Sequence, residues 1–271
     1  MRLRVTFAIP FGSRVAYDYP HHLGAMVYTL LGHVAPDLSA RLHAKGLWTD
    51  QSRPYKLFTF SQLWGGPGTT KATRQGLVFD TEKLLWRFDA AADMVTTLLA
   101  DALLAAERVR IGSLDATVRE IATEKEPDFA AQPLALTALS PLVASVFSEE
   151  RSTRYADPKD DDFWRILETN LYRKWTAFTG EPPSGPVTFT PDREYLRRNP
   201  RTSKRVVFKT GGAIVGHLVP FALSGPAELL RLAYRAGLGG KNALGFGMVG
   251  TAKDRKNRVA EETESASPCD C

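Results

Sequence analysis

Five glycines fall within thirteen residues in the stretch GLGGKNALGFGMV, from Gly237 to Val249. Glycine lets a backbone expose its N–H groups and approach another chain closely, so the stretch suits a phosphate-bearing partner. The order of the flanking elements restricts the fold. A dinucleotide-binding unit needs strand, glycine loop and helix, with the phosphate on the helix N-terminus. Here the helical pattern PAELLRLAYRAG comes first and the strand pattern GFGMV follows. A Walker loop needs Ser or Thr after Gly-Lys. Instead Asn242 follows Gly240-Lys241, and Arg235 stands where the first glycine of that motif belongs. Two readings survive: a loop lying against a polynucleotide backbone, or a helix C-cap at Gly237 followed by a tight turn.

The rest of the chain spells one pattern twice. RLRVTFAIP alternates, with Leu3, Val5, Phe7 and Ile9 on a buried face and Arg2, Arg4 and Thr6 on a wet one. A helix is expected from about His22 to His33. Pro36 breaks it, and PDLSARLHAKG reads as a second short helix, with Leu38 and Leu42 inward and Gly46 at its end. Strand patterns follow at KLFTFSQL, GLVFD and LLWRFDA, then a helix over Asp93 to Ala106 and strand material from Val109 to Ile121. After Pro127 and Pro133 the order returns. LALTALS is a strand, and DDDFWRILETNLYRKWTAFTG is a helix with Phe163, Ile166, Leu167, Leu171, Trp175 and Phe178 on its apolar face. PVTFT is a strand, RVVFK and AIVGHLVPF form a hairpin through Gly211-Gly212, and a helix and strand close the unit. The fold class is therefore α+β, with two tandem βαββαβ (ferredoxin-like) domains over residues 1–125 and 133–252. Residues 253–271 are charged, poor in apolar side chains and expected to be disordered.

Charge narrows the partner. The formal net charge is +5 and the pI about 9.2. Between Asp192 and Lys209 lie Arg193, Arg197, Arg198, Arg201, Lys204, Arg205 and Lys209, against only Asp192 and Glu194. That density marks a nucleic-acid footprint, or else a solvated charged face. The two cysteines, Cys269 and Cys271, both lie in the tail, so no disulfide framework holds the folded body, which suits a reducing cytoplasm. The opening MRLRVTFAIPFGS alternates too regularly for a signal peptide, and no apolar run has membrane-spanning length. His21 and His22 are adjacent, and no His-x-x-x-His or Cys-x-x-Cys pair occurs, so neither a metal site nor a cofactor is expected.

Four stretches carry a family resemblance: RLRVTFAIPF, LGAMVYTLLGHVAPDLSARLHAKG, YKLFTFSQL and GLGGKNALGFGMV, with ALSPL at Ala138–Leu142 in support. On these the chain resembles the CRISPR-associated endoribonucleases that cut precursor CRISPR RNA within its repeats, the Cas six family. The resemblance implies two ferredoxin-like domains and metal-independent cleavage that leaves a cyclic phosphate on one product and a free hydroxyl on the other. It implies CRISPR repeat RNA as partner, with effector subunits and a second copy of the chain as further partners.

Position by position, the family's catalytic histidine, tyrosine and lysine match His43, Tyr28 and Lys56. Arg53 is the alternative cation and His33 the reserve histidine. His217, inside a hairpin strand, reads as structural. Cutting RNA without a metal needs a base for the 2′-hydroxyl, a cation for the phosphorane and an acid for the leaving 5′-oxygen, and these side chains supply such roles. On one unbroken helix Tyr28 and His43 would stand roughly 22 Å apart. Pro36 removes that obstacle, and His43 falls near a helix C-terminus, whose dipole favours a cation. The expected RNA contacts are Gly237, Gly239, Gly240, Lys241, Asn242, Gly245 and Gly247 together with the basic segment Arg193 to Arg205. A related subunit that holds guide RNA without cutting it is the alternative function. An unrelated ferredoxin-like metabolic enzyme is a third.

Overall fold

The computed structural model describes residues 1–50, 53–147, 153–207 and 212–251. The expected tail with Cys269 and Cys271, and the positions Lys209 and Gly211, lie outside the described residues. In the N-terminal half the elements run β1 (Arg2–Ala8), β2 (Ser13–Val15), α1 (Tyr19–Val34), α2 (Pro36–Ala44), β3 (Trp48–Asp50), β4 (Arg53–Tyr55), β5 (Phe58–Phe60), β6 (Thr70–Thr73), β7 (Gly76–Phe79), β8 (Lys83–Ala90), α3 (Asp93–Ala106), β9 (Arg108–Ile111) and β10 (Leu114–Glu124). The main sheet has the order β5-β8-β1-β10-β9. Strand β1 lies antiparallel to both neighbours, with Val5 opposite Trp86 on one side and Ile121 on the other. Its alternation works as expected at Leu3, Val5 and Phe7, which are buried beneath α1 and α3. Full burial of side chains of this size contributes about 1.5–3 kcal/mol each.

The second half runs β11 (Leu134–Ala138), β12 (Ser145–Phe147), β13 (Thr153–Tyr155), α4 (Asp161–Thr179), β14 (Thr188–Pro191), α5 (Arg193–Arg198), β15 (Ser203–Val207), β16 (Ala213–His217), β17 (Pro220–Ser224), α6 (Ala227–Ala236) and β18 (Val249–Thr251). Its sheet has the order β14-β17-β11-β18. Both halves thus thread strand, helix, two strands, helix, strand with the first strand central. β10-β1-β8-β5 repeats as β18-β11-β17-β14, and the hairpin strand β9 is added at one edge.

Several expectations need correction. GLVFD does form a strand, β7, but it pairs with β2 and β6 in a separate three-stranded sheet. AIVGHLVPF splits at Leu218-Val219: β16 pairs with β15 outside the main sheet, and β17 enters it. Only Val249–Thr251 of the last strand pattern is extended in the sheet, because Gly245 and Gly247 adopt left-handed φ of 86° and 83°. On α4 the buried residues are Phe163, Trp164, Leu167, Leu171 and Lys174, whereas Ile166, Trp175 and Phe178 are only half-buried. Arg2, expected on the wet face, is 1% exposed. Its guanidinium donates to Asp89 at 3.3 Å, to the Val249 carbonyl at 2.8 Å and to the Tyr234 carbonyl at 2.6 Å. It also stacks 3.5 Å from the Tyr234 ring centroid. The first strand of one half is thereby tied to the last helix and strand of the other. Among the described residues no helix is long and apolar enough to cross a membrane.

Candidate active site

The elbow between α1 and α2 brings the first cluster together. Pro36 sits in the first turn of α2, where its missing N–H is harmless. Ala35 turns the chain at φ −149°, and the Ser39 hydroxyl donates to the Tyr28 carbonyl at 2.8 Å, fastening α2 to α1. The fold-back sets the His43 ring edge-on against Tyr28, with centroids 4.7 Å apart at 87°. Tyr28 also packs against Phe58, 5.9 Å away, at the start of β5.

The connection from His43 to Lys56 is a hairpin, β3 against β4, with Trp48 opposite Tyr55. Trp48 packs on Phe178 of α4 at 5.7 Å, so the hairpin leans on the other half of the molecule. Its exit delivers Lys56, whose Nζ donates to the Tyr28 hydroxyl at 2.8 Å and to the His43 carbonyl at 2.9 Å. His43 is exposed, while Tyr28 and Lys56 are half-buried. Burial pushes the Tyr28 phenol well above its ordinary range, so it keeps its proton near neutral pH. Burial pulls the Lys56 ammonium down. The other candidates stand apart. His33 is exposed near the end of α1, and Arg53 is exposed on β4. His217 is buried, with Nδ1 3.0 Å from the Thr202 hydroxyl and its ring edge-on to Phe163. Burial lowers its pKa, so it serves the core as a neutral ring.

The glycine loop is a built object, and much of it faces inward. Gly237, Gly239, Gly245 and Gly247 are buried, Gly240 is half-buried, and only Lys241 is exposed. A Cβ at Gly239 would collide with the Val143 carbonyl, and one at Gly247 with the Leu238 carbonyl and the Asn242 amide. Gly240 N–H donates to Val143 O and Gly247 N–H to Pro141 O, both at 2.9 Å. Asn242, expected to point at RNA, turns its side chain inward. Its Nδ2 donates to Leu238 O and Phe246 O at 3.1 Å, closing the loop on itself. Lys174 of α4 completes the arrangement by donating to Gly237 O at 2.7 Å, Gly239 O at 2.9 Å and Asn242 Oδ1 at 2.8 Å.

A cleft of about 1120 Å³ opens between the halves. His21 and His22 of α1, Arg53 of β4, Arg165, Asn170 and Arg173 of α4, and Lys241 of the loop line it, with Asp18 as its acid. The Asn170 Oδ1 is buried without a hydrogen-bond partner among the described residues. Tyr28, His43 and Lys56 are not in its wall, but Arg53 is, three residues before Lys56. The described side chains of the basic segment are not in the wall of this cleft, though Ala213 and Ile214 of the paired strand β16 are. Arg193, Arg197 and Arg198 are exposed on α5, with Arg198 ion-paired to Glu194. Arg201, Lys204 and Arg205 are exposed on and before β15. Arg193 and Arg197 line a smaller pocket of about 380 Å³ with Lys159 and Trp164. Sequence reasoning missed Arg165, Asn170, Arg173 and Lys174. A signal existed for the last: it continues the buried stripe Phe163, Leu167, Leu171 at helical spacing.

The whole chain has relatives of the same layout. The family described as CRISPR-associated protein Cas6, N-terminal, matches residues 14–122, and CRISPR associated protein Cas6, C-terminal, matches residues 124–251. The CRISPR-associated endoribonuclease Cas6 of Pyrococcus furiosus is 28% identical over 254 residues, covering 93% of this chain and 89% of that protein. The CRISPR-associated endoribonuclease Cas6 1 of Methanocaldococcus jannaschii is 24% identical and covers 95% of each. A solved structure of a Cas6-related protein from Pyrococcus furiosus superposes with a TM-score of 0.76 at 18% identity, over 93% of this chain and 98% of that one. The doubled ferredoxin-like fold, the closing glycine loop and these matches along nearly the full length place the chain in the Cas6 family.

Proposed function

We propose that the protein is a metal-independent endoribonuclease that binds CRISPR repeat RNA and cuts precursor CRISPR RNA into guides. The observation that carries this reading is the contact set of His43, Tyr28 and Lys56 on a half-exposed shelf. In the reaction the ribose 2′-oxygen attacks the adjacent phosphorus, the bond to the 5′-oxygen breaks, and a 2′,3′-cyclic phosphate and a 5′-hydroxyl result. His43 moves the proton, as base toward the 2′-hydroxyl or acid toward the leaving oxygen. Lys56 holds the phosphorane charge. An ammonium has three donors; two are engaged by Tyr28 and the His43 carbonyl, which aims the third outward. Tyr28 keeps its proton and so orients its neighbours instead of acting as a base.

Binding is assigned to the cations of the inter-domain cleft, with Lys241 as the outward side chain of the glycine loop, and to the exposed basic segment Arg193 to Arg205. Backbone contacts of this kind weaken steeply with salt. The reading places the protein in the cytoplasm, where precursor transcripts are made, and allows effector subunits or a second copy as partners. The experiment is incubation of repeat RNA with the protein in excess chelator, with the cut and both product ends mapped. Cleavage at one position with a cyclic phosphate supports the enzyme. Salt-sensitive binding without a cut would make it a guide-holding subunit and overturn the assignment.

A further inference from the structure

Lys174 is the one lysine among the described residues that is fully sealed from solvent, at 2% exposure. Nothing in the cutting reaction uses it. Its three N–H donors meet three oxygens, those of Gly237, Gly239 and the Asn242 side chain. These oxygens flank Lys241 on both sides. Lys241 itself has φ 64°, a left-handed conformation that side-chain-bearing residues seldom adopt, and its side chain is exposed in the wall of the cleft. The preceding residue, Arg173, lines the same cleft from α4. Consecutive helical residues point about 100° apart, so one turn of α4 sends a cation into the cleft and an ammonium into the protein.

We infer that Lys174 is a positioning residue for RNA binding: its ammonium fixes the backbone on either side of Lys241, so that this side chain stands in the cleft at a set offset from Arg173. The inference rests on the reading of the loop as an RNA contact. The chemistry explains the choice of residue. A compact ammonium reaches three divergent oxygens, whereas the planar fork of arginine suits paired acceptors in one plane. A methionine, one atom shorter and without donors, would fill the stem's space and leave three oxygens bare. The loop would then be free to relax Lys241 out of its strained conformation. Burial brings the Lys174 amine down to about 7. Near neutral pH the form that satisfies all three oxygens therefore coexists with one that satisfies two.

The test is a double-mutant cycle on RNA affinity. The probe is a labelled single-stranded RNA of mixed sequence, since phosphate contacts are read regardless of base. Lys241→Ala is expected to weaken binding several-fold and to flatten the log–log salt slope by about 0.7, the value for one contact on a single strand. Lys174→Met should do the same, and adding Lys241→Ala to it should cost nothing more. Lys174→Gln, which retains two N–H donors, should fall between, and it carries the same cycle if the methionine variant does not fold. Thermal melts give the folded fraction of each variant. A merely structural lysine would lower the melting temperature while the folded fraction binds with the wild-type slope. That result, or losses that multiply in the double variant, overturns the inference. Wild-type binding by Lys241→Ala overturns the RNA-contact reading of the loop, and the inference with it.

Discussion

Two lysines anchor two side-chain clusters of this molecule, and they differ chiefly in what surrounds them. Lys56 bonds one hydroxyl and one carbonyl at the rim of the N-terminal half, beside an exposed imidazole. Lys174 bonds three oxygens inside the C-terminal half, where water does not reach. The same functional group thus serves two ends. Where a donor remains and solvent has access, the ammonium is available to a substrate. Where every donor is engaged and the group is sealed, it can only hold shape. Burial lowers the pKa of both, so a perturbed value alone does not separate a reactive lysine from a structural one.

The contrast can be broken most directly at His43. His43→Ala should slow single-turnover cleavage of repeat RNA by about 10²–10⁴. Its stability should stay within about 0.5 kcal/mol of wild type, since the residue is exposed. Cleavage at the wild-type rate would remove the reactive character of the N-terminal cluster altogether. On the sealed side, Asn242→Ala strips one acceptor from Lys174 and two donors from loop carbonyls. Denaturant curves should show a loss of about 1–3 kcal/mol, and a loss no larger than that of an exposed residue would show that the loop is not held as described. Tyr28→Phe sharpens the comparison, because it touches both shape and chemistry. Losing one hydrogen bond to Lys56 should cost about 1 kcal/mol, or about fivefold in rate, measured at saturating RNA.

The last effect is a slope. The folded-state amine of Lys174 stands at about 7, against 10.5 for an ordinary lysine. Between those values the unfolded chain binds more protons than the native one, so this group makes stability rise with pH across the window. Its penalty on folding is greatest below 7. The stability difference between wild type and Lys174→Met should therefore shift in favour of wild type as the buffer moves from neutral to alkaline. A difference independent of pH would mean that the amine titrates as it does in the unfolded chain.

Much of this architecture was legible before any coordinates. Periodicity located both βαββαβ units, because each buries one clean face. The Pro36 break foretold the elbow that lets Tyr28 and His43 meet. Partners were harder to read than elements. Alternation identifies GLVFD as a strand but cannot say which edge it joins, and it pairs with β2 in place of β8. Polarity misled in both directions. Arg2 reads as solvent-facing, yet carbonyls from residues more than 200 positions away satisfy it in the interior. Asn242 reads as a ligand contact, yet its amide is consumed by its own loop. The first case depends on acceptors that no local window contains, and the second on a loop closure that side-chain polarity alone does not reveal.

The separation in sequence between interacting groups has one more consequence. The Tyr28–His43 contact spans 15 positions, whereas Lys174 reaches its oxygens across 63 to 68. Short closures form readily and distant ones late. A chain emerging from the ribosome can therefore close the elbow that joins Tyr28 to His43 early, whereas the ribbon around Lys174 locks only once translation has passed the final glycines.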